Sequence, residues 1–452
     1  MFIMKYFFRC VLAFLILCAG VEVQAQNKWQ KMHKVKRQET LFGIAKKYNL
    51  TINELVKANP DMNTPGYELK KGDYIFIPYP SEKVQGAASK QGKDVNVPAK
   101  ATAGKVLNVG VMLPLHNDDG DGRRMVEYYR GLLMACDRLK KEGVSINMRA
   151  WNVPQDADMA AIVAKEGAAR CDVIFGPLYT KQVGVLSDFA RKNNIKLVIP
   201  FSISGNDVVL NSNIFQVYQS AETANTEIIS QFISRFSSYH VVIIDCNDRT
   251  SDKGVFTFGL RKKLEERGIA YSITNLNSSD MMFAKAFSFS KPNVVILNTG
   301  RSPELNMAFN KLNTLKAGHS DYVISLFGYT EWLMYAKYNM DKFFAYDTYI
   351  PAYFYYNPLS AQTKAFENDY RRWFKSDMMD YMPRFAITGY DHGMYFLRGF
   401  YKHGTNFTGA DRDKDALQTQ MYFRRVGNGG LQNHGYMFVH YNRNRSISTI
   451  NF

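Results

Sequence analysis

The groups in this chain that could do covalent or metal chemistry are few and scattered. Eight histidines occur in 452 residues. None stands in the His-x-x-x-His or Glu-paired spacing that would put two zinc ligands on one helical face. "GYDHG" (Gly389 to Gly393) sets Asp391 beside His392, two members of an acid–base triad. No Gly-x-Ser-x-Gly elbow supplies the nucleophile that such a pair would activate. "NDDGDG" (Asn117 to Gly122) has calcium-loop residue types without the full ligand register or the terminal Glu, and reads as a solvated turn. It is no dinucleotide loop either, because Met125 stands where the third glycine belongs. "GNGG" (Gly427 to Gly430) reads as a turn. Of five cysteines, Cys136, Cys171 and Cys246 lie on apolar stretches and read as buried structural thiols, with at most one disulfide among them. These groups predict no metal, no cofactor and no enzyme.

The polar residues that remain are of the kinds that bind, and their use depends on the elements that carry them. The chain has 57 Lys and Arg against 41 Asp and Glu, a formal charge of +16 that favours anionic partners. Its first residues, MFIMKYFFRCVLAFLILCAGVEVQAQ, place Lys5 and Arg9 before the apolar run from Cys10 to Val21, then small residues ending at Ala25. That pattern predicts a secretory signal over 1–25. Export to the periplasm or cell envelope then argues against nucleic acid as a partner. Cys18 would be the lipidation site of a lipoprotein, but Leu17 stands where that motif wants a small residue, so lipidation is the less favoured outcome.

Behind the signal, Leu41, Ile44, Ala45 and Tyr48 recur at helical spacing and define one face. Thr51 and Glu54 make a capping box for a second short helix, which Asn59-Pro60 ends. A strand over Tyr74 to Ile77 follows the turn at Gly72. The stretches "HKVKRQETLFGIAKKYNLTINELVKANP" and "LKKGDYIFIP" together resemble the LysM domain, a small βααβ module, over 32–79. The resemblance implies binding of peptidoglycan or another N-acetylglucosamine-containing glycan in a shallow groove. Carried onto this sequence, the groove positions are Gln38, Glu39, Thr40 and Leu41 on one side, and Asn59, Pro60 and Asp61 on the other. Gln38 departs from the glycine usual at its place. Residues 80–105, rich in Lys, Ala and Gly and without aromatics, read as a flexible linker.

From Val106 to the last residue, buried-strand runs alternate with helical stretches. The runs are "VLNVGVMLP", Ile146–Trp151, Val173–Phe175, Lys196–Ile199, Val241–Asp245, Val294–Asn298 and Tyr322–Phe327, with a first helix from about Arg124 to Lys140. Such alternation predicts an α/β fold with largely parallel sheets covered by helices, in two lobes for a stretch this long. The motifs "VGVMLPL", "CDVIFGPLYTKQVGVLSDFARKNNIKLVIPFS", "HVVIIDCND", "NVVILNTGRSPELNMAF", "YVISLFGYTEW" and "FAITGYDHGMYFL" resemble, in this order, the type I periplasmic-binding-protein fold. The strand signal in "YMFVHYN" is expected to complete the second lobe.

That resemblance implies a ligand cleft between the lobes at Tyr179, Thr180, Ser202, Ser204, Arg301, Ser302, Tyr329 and Glu331. Thr180 and Ser202 would meet a carboxylate and Glu331 an amine, as for an amino-acid-like ligand, while Phe201 is bulky enough to fill the pocket. Two functions follow as expectations. One is a wall-tethered protein that binds peptidoglycan and captures a small polar ligand. The other is a non-enzymatic regulator of peptidoglycan synthesis, acting by protein contact with a cell-wall enzyme, since activators of that kind share the two-lobed fold.

Overall fold

The computed structural model describes residues 29–36, 39–48, 50, 52–59, 62, 69, 71–78, 106–202 and 207–452. The expected signal, the linker, Gln38, Thr51, Pro60, Asp61 and Ser204 lie outside them. The chain divides into two units, each taken by itself below.

In the small unit, strand β1 (Trp29–Lys34) pairs antiparallel with β2 (Tyr74–Pro78). Two seven-residue helices, Leu41–Lys47 and Ile52–Ala58, lie between them in the chain. Neither helix would persist alone at that length, so each depends on the face it buries. Ile44, Leu55, Ile75 and Ile77 are wholly buried and share one core with Val35, Leu50 and Val56. Alternation along β2 turns Ile75 and Ile77 to that core, as the period of two requires.

The large unit holds two seven-stranded sheets. The first lobe contains β3 (Val106–Leu113), β4 (Ser145–Asn152), β5 (Val173–Phe175), β6 (Lys196–Ile199) and β7 (Ile214–Gln216). The second contains β8 (His240–Asp245), β9 (Tyr271–Asn275), β10 (Asn293–Leu297), β11 (Ile324–Phe327) and β12 (Thr348–Ala352). The chain then returns to the first lobe for β13 (Phe423–Arg425) and β14 (Leu431–Asn433), and ends in the second with β15 (Met437–Tyr441) and β16 (Ile447–Asn451). The first sheet runs β13-β14-β7-β6-β5-β3-β4 and the second β16-β15-β12-β11-β10-β8-β9. Within each sheet, the five strands that come first in the chain are parallel. Order reverses at β3/β5 in one lobe and at β8/β10 in the other, the topological switch points where open sheets leave a crevice.

The first helix is Gly120–Lys141; it starts earlier than expected because Asp119 caps it by accepting from the Gly122 N–H at 2.7 Å. The stretch after Asn406 does not serve the second lobe alone. Its strands β13 and β14 extend the first sheet, and only β15 and β16 extend the second.

Three passages join the lobes: 217–220, the segment following β12, and 434–436. Hydrogen bonds stitch them together, in part through the stretch 418–422 that precedes β13. Tyr355 N–H donates to the Gln418 carbonyl at 2.9 Å, and Gln219 Nε2 to the Asn433 carbonyl at 2.7 Å. The Asn433 carboxamide oxygen accepts from the Tyr422 and Gly435 N–H groups, while its Nδ2 donates to the Gln420 carbonyl. Glu227 meets His434 Nδ1 at 2.5 Å. Burial of Glu227 would raise its pKa, yet His434, Gln219 and Arg424 hold it below the ordinary carboxylate value.

Candidate functional site

In the small unit, the groove positions lie where β1 leads into the first helix and where the second helix ends. Glu39 is fixed there by three groups. Its Oε2 lies 2.7 Å from His33 Nε2 and accepts the Lys36 N–H at 2.7 Å, and Lys47 Nζ stands 3.6 Å from Oε1. Partial burial alone would raise the Glu39 pKa, but the Lys36 N–H and the His33 contact bring it below the usual value. On its other nitrogen, His33 meets the Tyr48 hydroxyl at 2.9 Å. Thr40 is the N-cap of the first helix, accepting from the Gly43 N–H at 3.0 Å, and Leu41 packs on the core.

Asn59 is only 6% exposed. Its Nδ2 donates to the Leu55 and Phe76 carbonyls at 2.7 and 2.8 Å, and its Oδ1 accepts the Phe76 N–H at 2.7 Å. That amide joins the second helix to β2 and shapes the loop instead of offering itself to a sugar. His33 and Tyr48 were missing from the sequence reading as site residues, because only folding brings His33 to Glu39.

In the large unit, the cleft positions lie in the loops that leave the C-terminal ends of the strands. On the first lobe the loops after β5 and β6 put the Thr180 and Ser202 hydroxyls 3.0 Å apart, so the two are brought together as a pair. Tyr179 donates its hydroxyl to Asp121 at 3.0 Å, and Asp121 is ion-paired to Arg124. Its phenol is pushed up to about 12, by burial first and then by the Asp121 carboxylate. The Phe201 ring packs 5.2 Å from Tyr128, 5.6 Å from Phe385 and 6.3 Å from Tyr218, centroid to centroid. Four aromatic side chains thus pack together beside these loops.

On the second lobe, Glu331 is held by Lys253 at 2.6 Å. The lysine also stands 5.4 Å from the Tyr329 ring. Tyr329 itself is core: it is 6% exposed and its hydroxyl donates to the Leu297 carbonyl. Arg301 lies 3.5 Å from Asp248 and 3.6 Å from Glu304. Asp248 accepts from the Thr250 and Thr299 hydroxyls at 2.6 and 2.8 Å, bonds that bring its carboxyl down to about 2. Ser302 opens the helix Ser302–Gly318, where its hydroxyl accepts from Asn306 Nδ2 at 3.5 Å. Asp121, Arg124, Asp248 and Lys253 were not anticipated as site residues. Asp121 and Arg124 lie in the first turns of the helix Gly120–Lys141, and Asp248 and Lys253 in the polar loop after β8, with no local pattern to announce their partners.

The remaining chemical groups are structural. Asp391 accepts three backbone N–H bonds, from Leu417, Gln418 and Thr419, whereas His392 Nδ1 meets the Tyr128 hydroxyl at 2.9 Å. The neighbours in sequence therefore serve different partners. Burial pushes Asp391 up to about 7 and His392 down to about 3. Cys136, Cys171 and Cys246 form no disulfide and are buried, and burial lifts the Cys171 thiol to about 11 and the Cys246 thiol to about 12. Among the described residues no cluster of three His, Cys, Asp or Glu side chains could hold a metal ion, and no helix is long and apolar enough to cross a membrane.

Residues 33–78 match the LysM domain family. No curated protein matches the chain. Among solved structures, one assigned as a branched-chain amino acid ABC transporter from Rhodospirillum rubrum is 14% identical, covering 76% of this chain and 100% of its own at a TM-score of 0.54. Full-length LpoA from Haemophilus influenzae is 12% identical, over 76% of this chain and 59% of its own, at a TM-score of 0.49. The large unit has the type I periplasmic-binding-protein-like fold, and residues 33–78 are a LysM domain.

Proposed function

From a LysM domain and a two-lobed binding fold in one chain, we propose a wall-associated protein of the cell envelope. It is retained on peptidoglycan by the LysM domain and works through its large unit by contact with another protein, without catalysis. The match of residues 33–78 to the LysM family carries the first half of this reading. A single such module holds a glycan weakly, and a polymer of repeated sites turns weak affinity into retention. Within the module, Glu39, Thr40 and Leu41 with Gln38 form one side of the glycan groove, and Pro60 and Asp61 the other, with Asn59 and His33 positioning the loops.

Protein contact is favoured over solute capture by what the cleft loops already do. Thr180 pairs with Ser202, Glu331 with Lys253, and Arg301 with Asp248. A ligand carboxylate or amine would have to break these contacts and displace the Phe201 cluster, recovering only the surplus. The competing reading keeps a specific support of its own: the two hydroxyls are brought together at a switch-point edge, where open α/β sheets bind ligands.

Two measurements separate these readings. The mature protein should sediment with insoluble peptidoglycan, and a truncated chain beginning at Lys105 should stay in solution. Equal behaviour of the two would remove the LysM tether. A panel of amino acids at millimolar concentration should leave the melting temperature unchanged. A ligand that raises it by mass action on the folded state would replace protein contact with solute capture.

A further inference from the structure

The second lobe carries an apolar groove at the end where its parallel strands begin, away from the cleft loops. One wall is the helix Asp280–Ala284 and the chain leading to β10; the other is the last turns of the helix Ser302–Gly318. The groove encloses about 710 Å³. Its floor is aromatic and buried: Phe283, Phe287 and Tyr322 are 1%, 6% and 2% exposed. The rim is apolar too but stands in water, with Met281 at 72% and Phe289 at 67% exposed. Phe289 is laid flat on Tyr322 at 4.3 Å, which holds an exposed ring in one place at the groove's edge.

A pocket for a small solute buries its own rim against the solute. Here Met281 and Phe289 line the cavity yet stay mostly in water at its rim, so covering them takes a surface wider than the cavity. Exposed patches of this kind mark macromolecular contact, and a flexible methionine at the edge adapts to an incoming face. Charge narrows the partner. Asp280 is neutralised by Lys311 at 2.7 Å, which leaves Lys285 at the groove as a lysine with no ion pair among the described residues; the exposed His319 lines the same groove. A second copy of this chain, with 57 basic against 41 acidic residues, would bring like charge to that rim.

We propose that this groove docks an acidic amphipathic helix of another protein, seating two or three large apolar side chains on Phe283, Phe287 and Tyr322 and setting its carboxylates toward Lys285. The inference rests on the protein-contact reading and gives it an address. Helices that lie in grooves anchor through apolar residues on one face, at spacings such as i, i+4 and i+7.

The probe is a fluorescent, stapled 16-residue helical peptide with Leu, Phe and Leu at i, i+4 and i+7 and Glu on both flanks, titrated into the full chain and followed by anisotropy. A second peptide replaces every Glu by Lys. Saturable binding of the acidic peptide is expected, weakened at least tenfold in Phe289→Ser and reversed in preference toward the basic peptide in Lys285→Glu. Both side chains are exposed, and unchanged melting curves establish that the variants fold. Equal binding of the two peptides, or binding unaffected by Phe289→Ser, overturns the proposal. So does a dimer in sedimentation equilibrium that Phe289→Ser dissolves, which would assign the groove to a second copy. No peptide binding, with peptidoglycan retention intact and no solute raising the melting temperature, would sink the groove while leaving the protein-contact reading in place.

Discussion

At the scale of single residues, the most consequential group outside the cleft is Glu127, on the first helix of the large unit. Its Oε1 accepts the Met379 N–H, Arg130 and Arg384 lie nearby, and Oε2 is buried with no hydrogen-bond partner among the described residues. Burial raises its pKa from 4.5 to about 7 in spite of those contacts. Below about pH 4.5 the folded and unfolded states both hold the proton, so the group is neutral to stability. As pH rises toward 7 the unfolded chain releases the proton first, and stability falls until the folded carboxyl ionises as well. Glu127→Gln keeps an acceptor for Met379 and removes the titration. The melting temperature of the variant should therefore decline less between about pH 4.5 and 7 than that of the wild type; Asp391 and Asp413 add to the decline in both proteins, and His392, held down by burial, opposes it in both. Identical slopes would mean that Glu127 is not buried as described. Residue types at the strand ends were legible in the sequence, and so was the bulk of Phe201. What each polar group pairs with was not. Thr180 and Ser202 are 22 residues apart in the chain, and Tyr329 could have faced either cleft or core until its hydroxyl found the Leu297 carbonyl.

At the scale of elements, the first lobe depends on an unusually close crossing of two helices, Gly120–Lys141 and Phe385–His392. Gly131 meets the Ala386 carbonyl and Gly389 meets the Tyr128 carbonyl, each so near that an added Cβ would overlap backbone. No flexible side chain can move aside there. Gly131→Ala or Gly389→Ala should cost about 1–3 kcal/mol or more, as overpacking does in a filled core. Urea unfolding measures it, and a loss under about 0.5 kcal/mol, the range of neutral surface changes, would show the crossing to be looser. The strands show where pattern suffices. Val173–Phe175 and Lys196–Ile199 form as expected, since a short apolar run between turns reads as a buried parallel strand. Thr348–Ala352 was not anticipated, because Pro351 argues against an inner strand and its partner β15 arrives almost 90 residues later. Three-residue Ile214–Gln216 is too brief to carry a period at all.

At the scale of the whole large unit, the two lobes are one cooperative body to the extent that the three passages between them hold. Asn433, 2% exposed, serves both the passage at 434–436 and the turn at 420–422 with one amide, while its carbonyl takes Gln219 from the first passage. Asn433→Ala removes one acceptor used twice and one donor, leaving buried backbone groups unpaired at about 1–3 kcal/mol each. Calorimetry of the wild type should give one transition for the two lobes, and Asn433→Ala should separate it into two. A single transition at a merely lower temperature would place the coupling elsewhere, in the aromatic contacts among Tyr218, Tyr353 and Tyr436. The two-lobed organisation was legible from the alternation of runs and helices, but the return of β13 and β14 to the first sheet was not, since short strands do not declare which edge they extend.

The interleaving of those strands sets a clock on synthesis. The LysM domain has every residue it needs once position 78 is made, and can close on its core while the rest of the chain is still being delivered. Neither lobe has that freedom. The first sheet waits for Leu431–Asn433 and the second for Met437–Tyr441, so almost the entire chain must be present before either edge is covered. For most of its assembly the large unit is a set of unfinished sheets with bare strands, the state in which stray pairing between chains is easiest. Under the proposed wall-associated reading, nascent molecules would be anchored before they are complete, and kept apart from one another by the polymer that holds them.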